Sequence, residues 1–431
     1  MSAVIHEGVR DVPLAGIYDV IVCGGGPAGT AAAVRAAEAG SRTLLLEAHG
    51  CLGGIWTSGG LAWMIDWRNK PGFMRELTDE LKQRGGFEIP DPEYSSYAAD
   101  IETLKLLLED RCAAAGVAWQ YHTRAAAALK TDGRLTHVIT ESKSGRQAWQ
   151  AATFIDATGD GDLAALAGCG FDYGHPETGK TQPMSLIALV GGIRFDDIRE
   201  FVCGYARDAK ASLMAAMQNA GVTPSYAAPS LFRMKNDIFM MMVNHEYDVS
   251  GRDAADITAA TIHARREIHG SVHALRAAGG IWQDVHILST AEQIGVRECR
   301  RVHGRYTVTV EDMIKGVRHE DAVCRTTFGI DVHAPDRDNS TGFDHSVRGE
   351  HVKTQPYDIP LRALIPRDVN GLMTAGRCIS GDFHAHSSYR VTGEAVMLGE
   401  AAGIVSAAAV AKGLLPHAIE FDTVRRLLPD K

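Results

Sequence analysis

Apolar positions along this chain are grouped in three ways, and each grouping predicts a different element. Residues 18–23 (YDVIVC) form a short β-branched run, as expected of a strand buried on both faces. Gly24-x-Gly26-x-x-Gly29 follows, then an Ala-rich helical segment to about Ala39, with Gly40 just past its last turn. Residues 43–46 repeat the apolar run, and Glu47 stands at its end. Residues 117–140 alternate as hairpin material, with Asp132-Gly133 as the turn. Residues 151–168 read again as a strand running into a glycine turn, Thr158-Gly159-Asp160-Gly161.

Further on, periodicity predicts helices over 196–220 and 254–278, and strands near 232–243 and 306–310. The segment DIFMMMVNH (237–245) reads as a buried strand whose methionines suit an irregular pocket. Residues 333–350 are polar and rich in Gly, Asn and Asp, the composition of a surface loop or lid beside His333. Near the end, LMTAGRCIS predicts a strand stopping at Gly376. The segment VTGEAVMLGEAAGIVSAAAVA predicts a long helix whose Gly393, Gly399, Ala402 and Gly403 would let it pack closely on a sheet. The resulting division is discontinuous: a nucleotide-binding unit over 14–190 and 355–431, and an α+β substrate-binding cap over 191–354. The first dozen residues read as a loose arm, and no repeats appear.

Composition narrows the function. A net charge of -9 argues against nucleic-acid and anionic-membrane partners, which need a basic surface. Eight scattered cysteines, with no C-x-x-C, give neither a zinc ribbon nor an iron–sulfur ligand set, and reduced thiols in the cytoplasm are the expectation. No apolar run is read as reaching the roughly 18 residues of a membrane span.

The opening strand–turn–helix–strand is a dinucleotide site in its chemistry. Gly24 permits the tight turn, Gly26 lets the backbone approach a pyrophosphate, and Gly29 brings the helix against the sheet. The helix N-terminus favours phosphate, and Glu47 is placed to accept from a ribose hydroxyl. The fingerprint does not choose between FAD and NAD. Gly53, Gly54, Gly59 and Gly60 keep a second stretch of backbone bare, and the hairpin returning to an "ATG" strand is the layout of two-dinucleotide-binding-domain flavoproteins.

The chain resembles the FAD-dependent oxidoreductases related to the fumarate reductase and glutathione reductase flavoproteins. The matching pieces run in order through DVIVCGGGPAGTAAAVRAAEAG, LLLEAHGCLGGIWTSGG, FIDATGDGDLAALAG, GVRECRRVHGRYTVTVEDM, YDIPLRALIP and the C-terminal LMTAGRCISGDFHAHSSYRVTGEAVMLGEAAGIVSAAAV. The resemblance implies a Rossmann-like α/β fold with FAD held by Gly24, Gly26, Pro27, Ala28, Gly29, Glu47, Gly53, Gly54, Thr57, Ala125, Gly159, Gly376 and Arg377. It implies further that the last long helix aims its N-terminus at the pyrimidine end of the flavin.

The loop GDFHAHSSYR before that helix then lies where a substrate would be. His384 and His386 are candidates for general acid or base, with Tyr389 as a proton relay and Arg390 as substrate anchor. As an H-x-H pair with His333 they could instead be metal ligands, or plain loop histidines. Arg297, Arg300 and Arg301 read as structural partners of Glu298, Glu311 or Asp312. Trp56 and Trp63 either line the pocket or fill the core, and His49 and Cys51 are candidate attachment points for a covalent flavin. The expected activity is hydride transfer between a small organic substrate and flavin N5, with oxygen or a carrier protein as possible electron acceptor and the oligomeric state open. The alternatives are a redox-neutral flavoenzyme (isomerase, lyase or RNA-modifying) or a metal-dependent hydrolase using His384 and His386.

Overall fold

The computed structural model describes residues 5, 8–88, 96–336 and 353–429. The β-branched run becomes the buried end of strand β1 (Leu14–Cys23). Helix α1 (Pro27–Glu38) starts with Pro27 in its first turn, where the missing N–H costs nothing. Strand β2 (Thr43–Leu46) then lies parallel to β1, with Val20 opposite Thr43 and Cys23 opposite Leu46. The strand Ala118–Gln120 extends the sheet beyond β2. On the other side of β1 runs the long strand Gly145–Asp156, also parallel, with Cys23 opposite Asp156.

That long strand is shared lengthwise. Its first half pairs with an antiparallel meander, Arg124–Thr131 and Arg134–Ser142, and its last three residues pair with the parallel strand Leu372–Thr374. Asp132 and Gly133 turn the meander with φ of 50° and 75°, the two left-handed positions of a type I′ turn. The architecture is therefore the Rossmann-like α/β fold expected.

The long helix Thr392–Ala411 is buried over almost its whole surface and lies on α1. A β-carbon on Gly399 would sit 2.0 Å from the carbonyl oxygen of Ala28, and one on Gly403 would sit 2.2 Å from that of Ala32. Its small residues thus serve a backbone-to-backbone contact with a helix rather than with the sheet, which corrects the sequence expectation. This helix is also long and apolar enough to cross a membrane, with mean hydropathy 1.5, contrary to the reading of the apolar runs. Its burial inside the protein, 83% of the window, accounts for that composition without a membrane.

A second hydrophobic core is drawn from residues between Met184 and Val296. It is built on a four-stranded antiparallel sheet: Ser230–Lys235, Ile238–Met242, Ala188–Gly191 and His286–Thr290 in spatial order. Helix Ala254–Ala278 covers it over the residues that periodicity assigns. Residues 196–220 are not one helix. Cys203 N–H reaches the carbonyl of Leu231 on the neighbouring strand, which splits them into short turns and helix Ala209–Asn219. Residues 232–243 form a hairpin instead of one strand, with Asn236 at φ 54° in its turn. Residues 306–310 form no strand and lead into helix Val310–Lys315. Val308, Met313 and Cys324 pack in the same core as α1 and Tyr357, so packing does not change at the expected boundary of 354. Most of the polar segment 333–350, from 337 on, lies outside the described residues.

Candidate functional site: a cavity between the glycine turns and the second core

The C-terminal ends of the parallel strands converge on one cavity. Gly24, at φ 99°, turns the chain out of β1; a β-carbon there would meet the carbonyl oxygen of Ala157 at 2.4 Å. Gly29 brings α1 so close that a β-carbon would lie 1.7 Å from the oxygen of Gly24. Both glycines are thereby required by packing, and they leave the start of α1 as bare backbone.

Of the residues assigned to FAD, Gly24, Gly26, Pro27, Ala28, Glu47, Gly54, Ala125, Gly159, Gly376 and Arg377 line this cavity. Gly29, Gly53 and Thr57 stand behind it. Thr57 Oγ1 donates to the carbonyl of Leu52 at 2.6 Å, and Gly53, at φ 105°, packs on the Thr57 side chain. The Glu47 carboxylate is held by N–H groups of Gly25 (2.5 Å) and His49 (2.8 Å), with lone pairs remaining for a further donor. His49 lies on the wall beside it, whereas Cys51 does not line the cavity and contacts Thr57 and Ser58.

Arg377 bonds Asp160 at 2.7 Å through one nitrogen, while its Nη1 is buried without a partner. The hydroxyl of Thr392, in the first turn of the long helix, is orphaned in the same way. That helix carries no side-chain cap, and Val391, Thr392 and Ala395 line the cavity. Bare glycine backbone, a clamped carboxylate and orphaned donors fit a dinucleotide with an electron-rich ring.

The opposite wall comes from segments in and around the second sheet: Ser185, Ile187, Met242, Gln293, Ile294 and Arg297, with Leu61, Trp63 and Arg390 beside them, and Ile187 and Met242 pack with the first core. Arg390 donates to the carbonyl (2.8 Å) and carboxylate (3.2 Å) of Asp331, and its Nε is buried without a partner. Burial and then Arg390 push the Arg297 guanidinium down to about 10. Burial favours neutral Asp331, but His333 and Arg390 overcome it and hold the carboxyl below its usual range. Burial, then Arg297, lowers His333 to about 3 and takes His245 well below 6.5. The rings of His245 and His333 lie 5.1 Å apart, and the Tyr226 ring, tilted by 35°, lies 4.2 Å from His245.

Three of the four proposed catalytic residues lie elsewhere. His384 and His386 sit on a short helix, Phe383–Tyr389, not on a loop or strand. A helix turns about 100° per residue, so positions two apart face different ways and cannot form a strand-like ligand pair. His384 packs beside Phe383 and His175. His386 is fully buried, both ring nitrogens lack partners, and burial holds it well below the usual imidazole range. Tyr389 donates to the carbonyl of Ile379 at 3.1 Å. Among the described residues, the one grouping of possible metal ligands is Glu246, His263 and Glu267, so His333, His384 and His386 do not converge.

Arg300 and Arg301 pair with Asp162 and Glu298, whereas Asp312 caps its own helix and Glu311 pairs with Lys315. Trp56 is core and Trp63 is cavity wall. Arg297 and Gln293 on the wall, and Asp331, His245 and Tyr226, whose charges or rings act on Arg297, Arg390 or one another, were not among the expected site residues. Only the Arg-rich segment carrying Arg297 gave a signal, and charge pairing explained it equally well.

Short stretches of the chain are similar to curated proteins. It is 34% identical over 113 residues to urocanate reductase from Eggerthella lenta, covering 25% of this chain and 18% of that protein. It is 43% identical over 63 residues to a putative bifunctional amine oxidase from Dictyostelium discoideum, covering 15% of this chain and 6% of that one. The chain thus spans under a fifth of either relative. Among solved structures, p-nitrophenol 4-monooxygenase PnpA from Pseudomonas putida superposes with a TM-score of 0.51 at 10% identity, covering 95% of this chain and 83% of that one. A triple mutant of the flavin-dependent brominase Bmp2 gives 0.50 at 12% identity with the same coverage. These superpositions establish the shared fold. The profile of the FAD dependent oxidoreductase family matches residues 19–428, so the chain belongs to that family.

Proposed function

We propose that this oxidoreductase moves a hydride between FAD and a small organic acid whose carboxylate is held by Arg297 and Arg390. The supporting observation is a charge imbalance. Two guanidiniums border one cavity wall, and the carboxylate that pairs with Arg390 there is Asp331. His245 and His333 are neutral at working pH, so they add polarity without charge. Among the described residues at this wall, two guanidiniums stand against the Asp331 carboxylate, and one guanidinium nitrogen is orphaned, which favours an anion. Planar, bidentate arginines suit a carboxylate.

FAD supplies the hydride acceptor; the chain supplies orientation. Arg390, locked by Asp331, and Arg297 would fix the carboxylate, while Trp63, Ile187, Met242 and Ile294 would exclude water around the reacting carbon. In this reading Arg390, and neither His384 nor His386, faces the substrate. The second core, residues 184–296, acts as the substrate cap.

The 113-residue match to urocanate reductase is to a reductase by name, which supports redox chemistry at this cavity. Eight cysteines, all free, suit a reducing cytoplasm, and the charge of -9 speaks against nucleic acid as partner. Reoxidation by oxygen or a carrier protein completes the cycle. An anaerobic screen of organic acids against their amides tests the reading. Bleaching of the visible flavin band by an acid, with its amide silent, is the expected result; bleaching by neutral compounds alone refutes it.

A further inference from the structure

Beside the start of the long helix lies a buried charge cluster that the cavity chemistry does not use. Lys70 is 1% exposed, and its ammonium meets Asp66 Oδ2 at 2.9 Å, Glu394 Oε1 at 3.0 Å and the carbonyl of Arg325 at 2.8 Å. Three chain segments therefore meet one nitrogen, through a hydrogen bond to the Arg325 carbonyl and ion pairs to the two carboxyl groups. Glu394 is fully buried in the first turn of the helix whose preceding residues, Val391 and Thr392, line the cavity.

The same turn is gripped from its other side. Gly393 N–H donates to the carbonyl of Ile65 at 3.1 Å, and a β-carbon on Gly393 would lie 2.2 Å from the oxygen of Asp66. Asp66 itself adopts φ 53°, a left-handed conformation that is strained for a non-glycine residue and persists where neighbours enforce it. Ile65, between these contacts and the cavity, is a wall residue. The helix lacks a side-chain cap, so its remaining N–H groups and its dipole are free to act on whatever fills that end of the cavity.

We propose that Asp66, Lys70 and Glu394 are positioning residues that fix this helix N-terminus against FAD and, by their summed charge, help to set the potential of the bound cofactor. This rests on the FAD reading of the cavity. Glu394 is raised well above the usual carboxylate range by burial first, with Lys70 opposing and Asp66 adding to the rise. Asp66 is lowered: against burial, Glu394 and Lys70 favour its ionised form. Burial thus biases Glu394 toward its acid form while Asp66 keeps the negative charge opposite the Lys70 ammonium. Removing the ammonium leaves net negative charge in a low-dielectric setting, where it opposes addition of electrons nearby.

The test is the midpoint potential of bound FAD, read spectroscopically in wild type, Lys70→Met, Asp66→Asn and Glu394→Gln, alongside FAD affinity and melting temperature. Lys70→Met should disfavour the reduced form about tenfold, a fall of about 30 mV for a two-electron couple. Asp66→Asn should move the potential upward. Glu394→Gln, which replaces a group biased toward its acid form by a neutral amide, should leave it within threefold. If the Lys70 and Asp66 variants melt earlier or bind FAD more weakly but keep the wild-type potential, the cluster is structural only and the proposal is wrong. If Lys70→Met does not fold, an unchanged potential in Asp66→Asn is enough to overturn it. A wild-type protein that binds no FAD would overturn the cofactor reading instead, before any variant is compared.

Discussion

Arg297 and Arg390 border one cavity, where burial first and Arg390 next lower the proton affinity of Arg297, and the Asp331 carboxylate pairs with Arg390. Two buried like charges held this way are unfavourable in isolation. Their arrangement makes sense when an anion completes it, and that links the second core to the flavin cavity.

Glu47 is fixed before any ligand arrives, because two backbone N–H groups already hold its carboxylate. Glu47→Ala should therefore weaken FAD binding through the lost ribose contact and leave those two donors unsatisfied. The expected loss is roughly ten- to hundredfold in affinity. Fluorescence titration of the apoprotein with FAD measures it, and an unchanged affinity would remove Glu47 from the site.

The contact between the two Ala/Gly-rich helices leaves no room at Gly399, while Gly270, in helix Ala254–Ala278, faces open space. Alanine at the two sites should act in opposite directions. Gly399→Ala should destabilise by about 3 kcal/mol or more, since backbone must move. Gly270→Ala should stabilise by about 0.5–1 kcal/mol. Denaturant unfolding of both variants compares them directly.

Three buried histidines, His245, His333 and His386, are pushed below 6.5, each by burial first. At these three positions the unfolded chain then binds more protons than the folded one below pH 6.5. Their contribution to stability is full above that pH and falls as the pH drops, by at most about 1.4 kcal/mol per pH unit for each histidine. Unfolding curves between about pH 7.5 and 5.5 should show this slope, and His245→Asn should make it shallower. Because buried Asp156, raised to about 6, and Glu394 titrate with the opposite sign, the test is the difference: a slope unchanged in His245→Asn would contradict the burial of that ring.

The sequence announced the nucleotide half of this protein because local chemistry dictates it. Gly24 and Gly29 are needed by a turn and a close packing between residues five apart, and Asp132-Gly133 closes a hairpin by itself. Arg297, Asp331 and His245 are brought to one place by tertiary packing of distant segments, which no spacing encodes. His384 and His386 looked chemical because their loop position was assumed. The helix Phe383–Tyr389 instead turns one into the core. The long helix Thr392–Ala411 misled in another way: small residues that suit a sheet suit a neighbouring helix equally well.

The central claim joins two statements, that FAD fills the cavity and that Arg297 and Arg390 hold an organic acid in front of it. The most direct test is the visible spectrum of the purified, FAD-loaded protein during titration with small carboxylates and with the matching amides, in wild type and Arg390→Met. Saturable perturbation of the flavin bands by the acid alone, weakened roughly a hundredfold in Arg390→Met while FAD stays bound, is the predicted result. Equal perturbation by acid and amide, or a variant that binds the acid as tightly as wild type, would contradict the account.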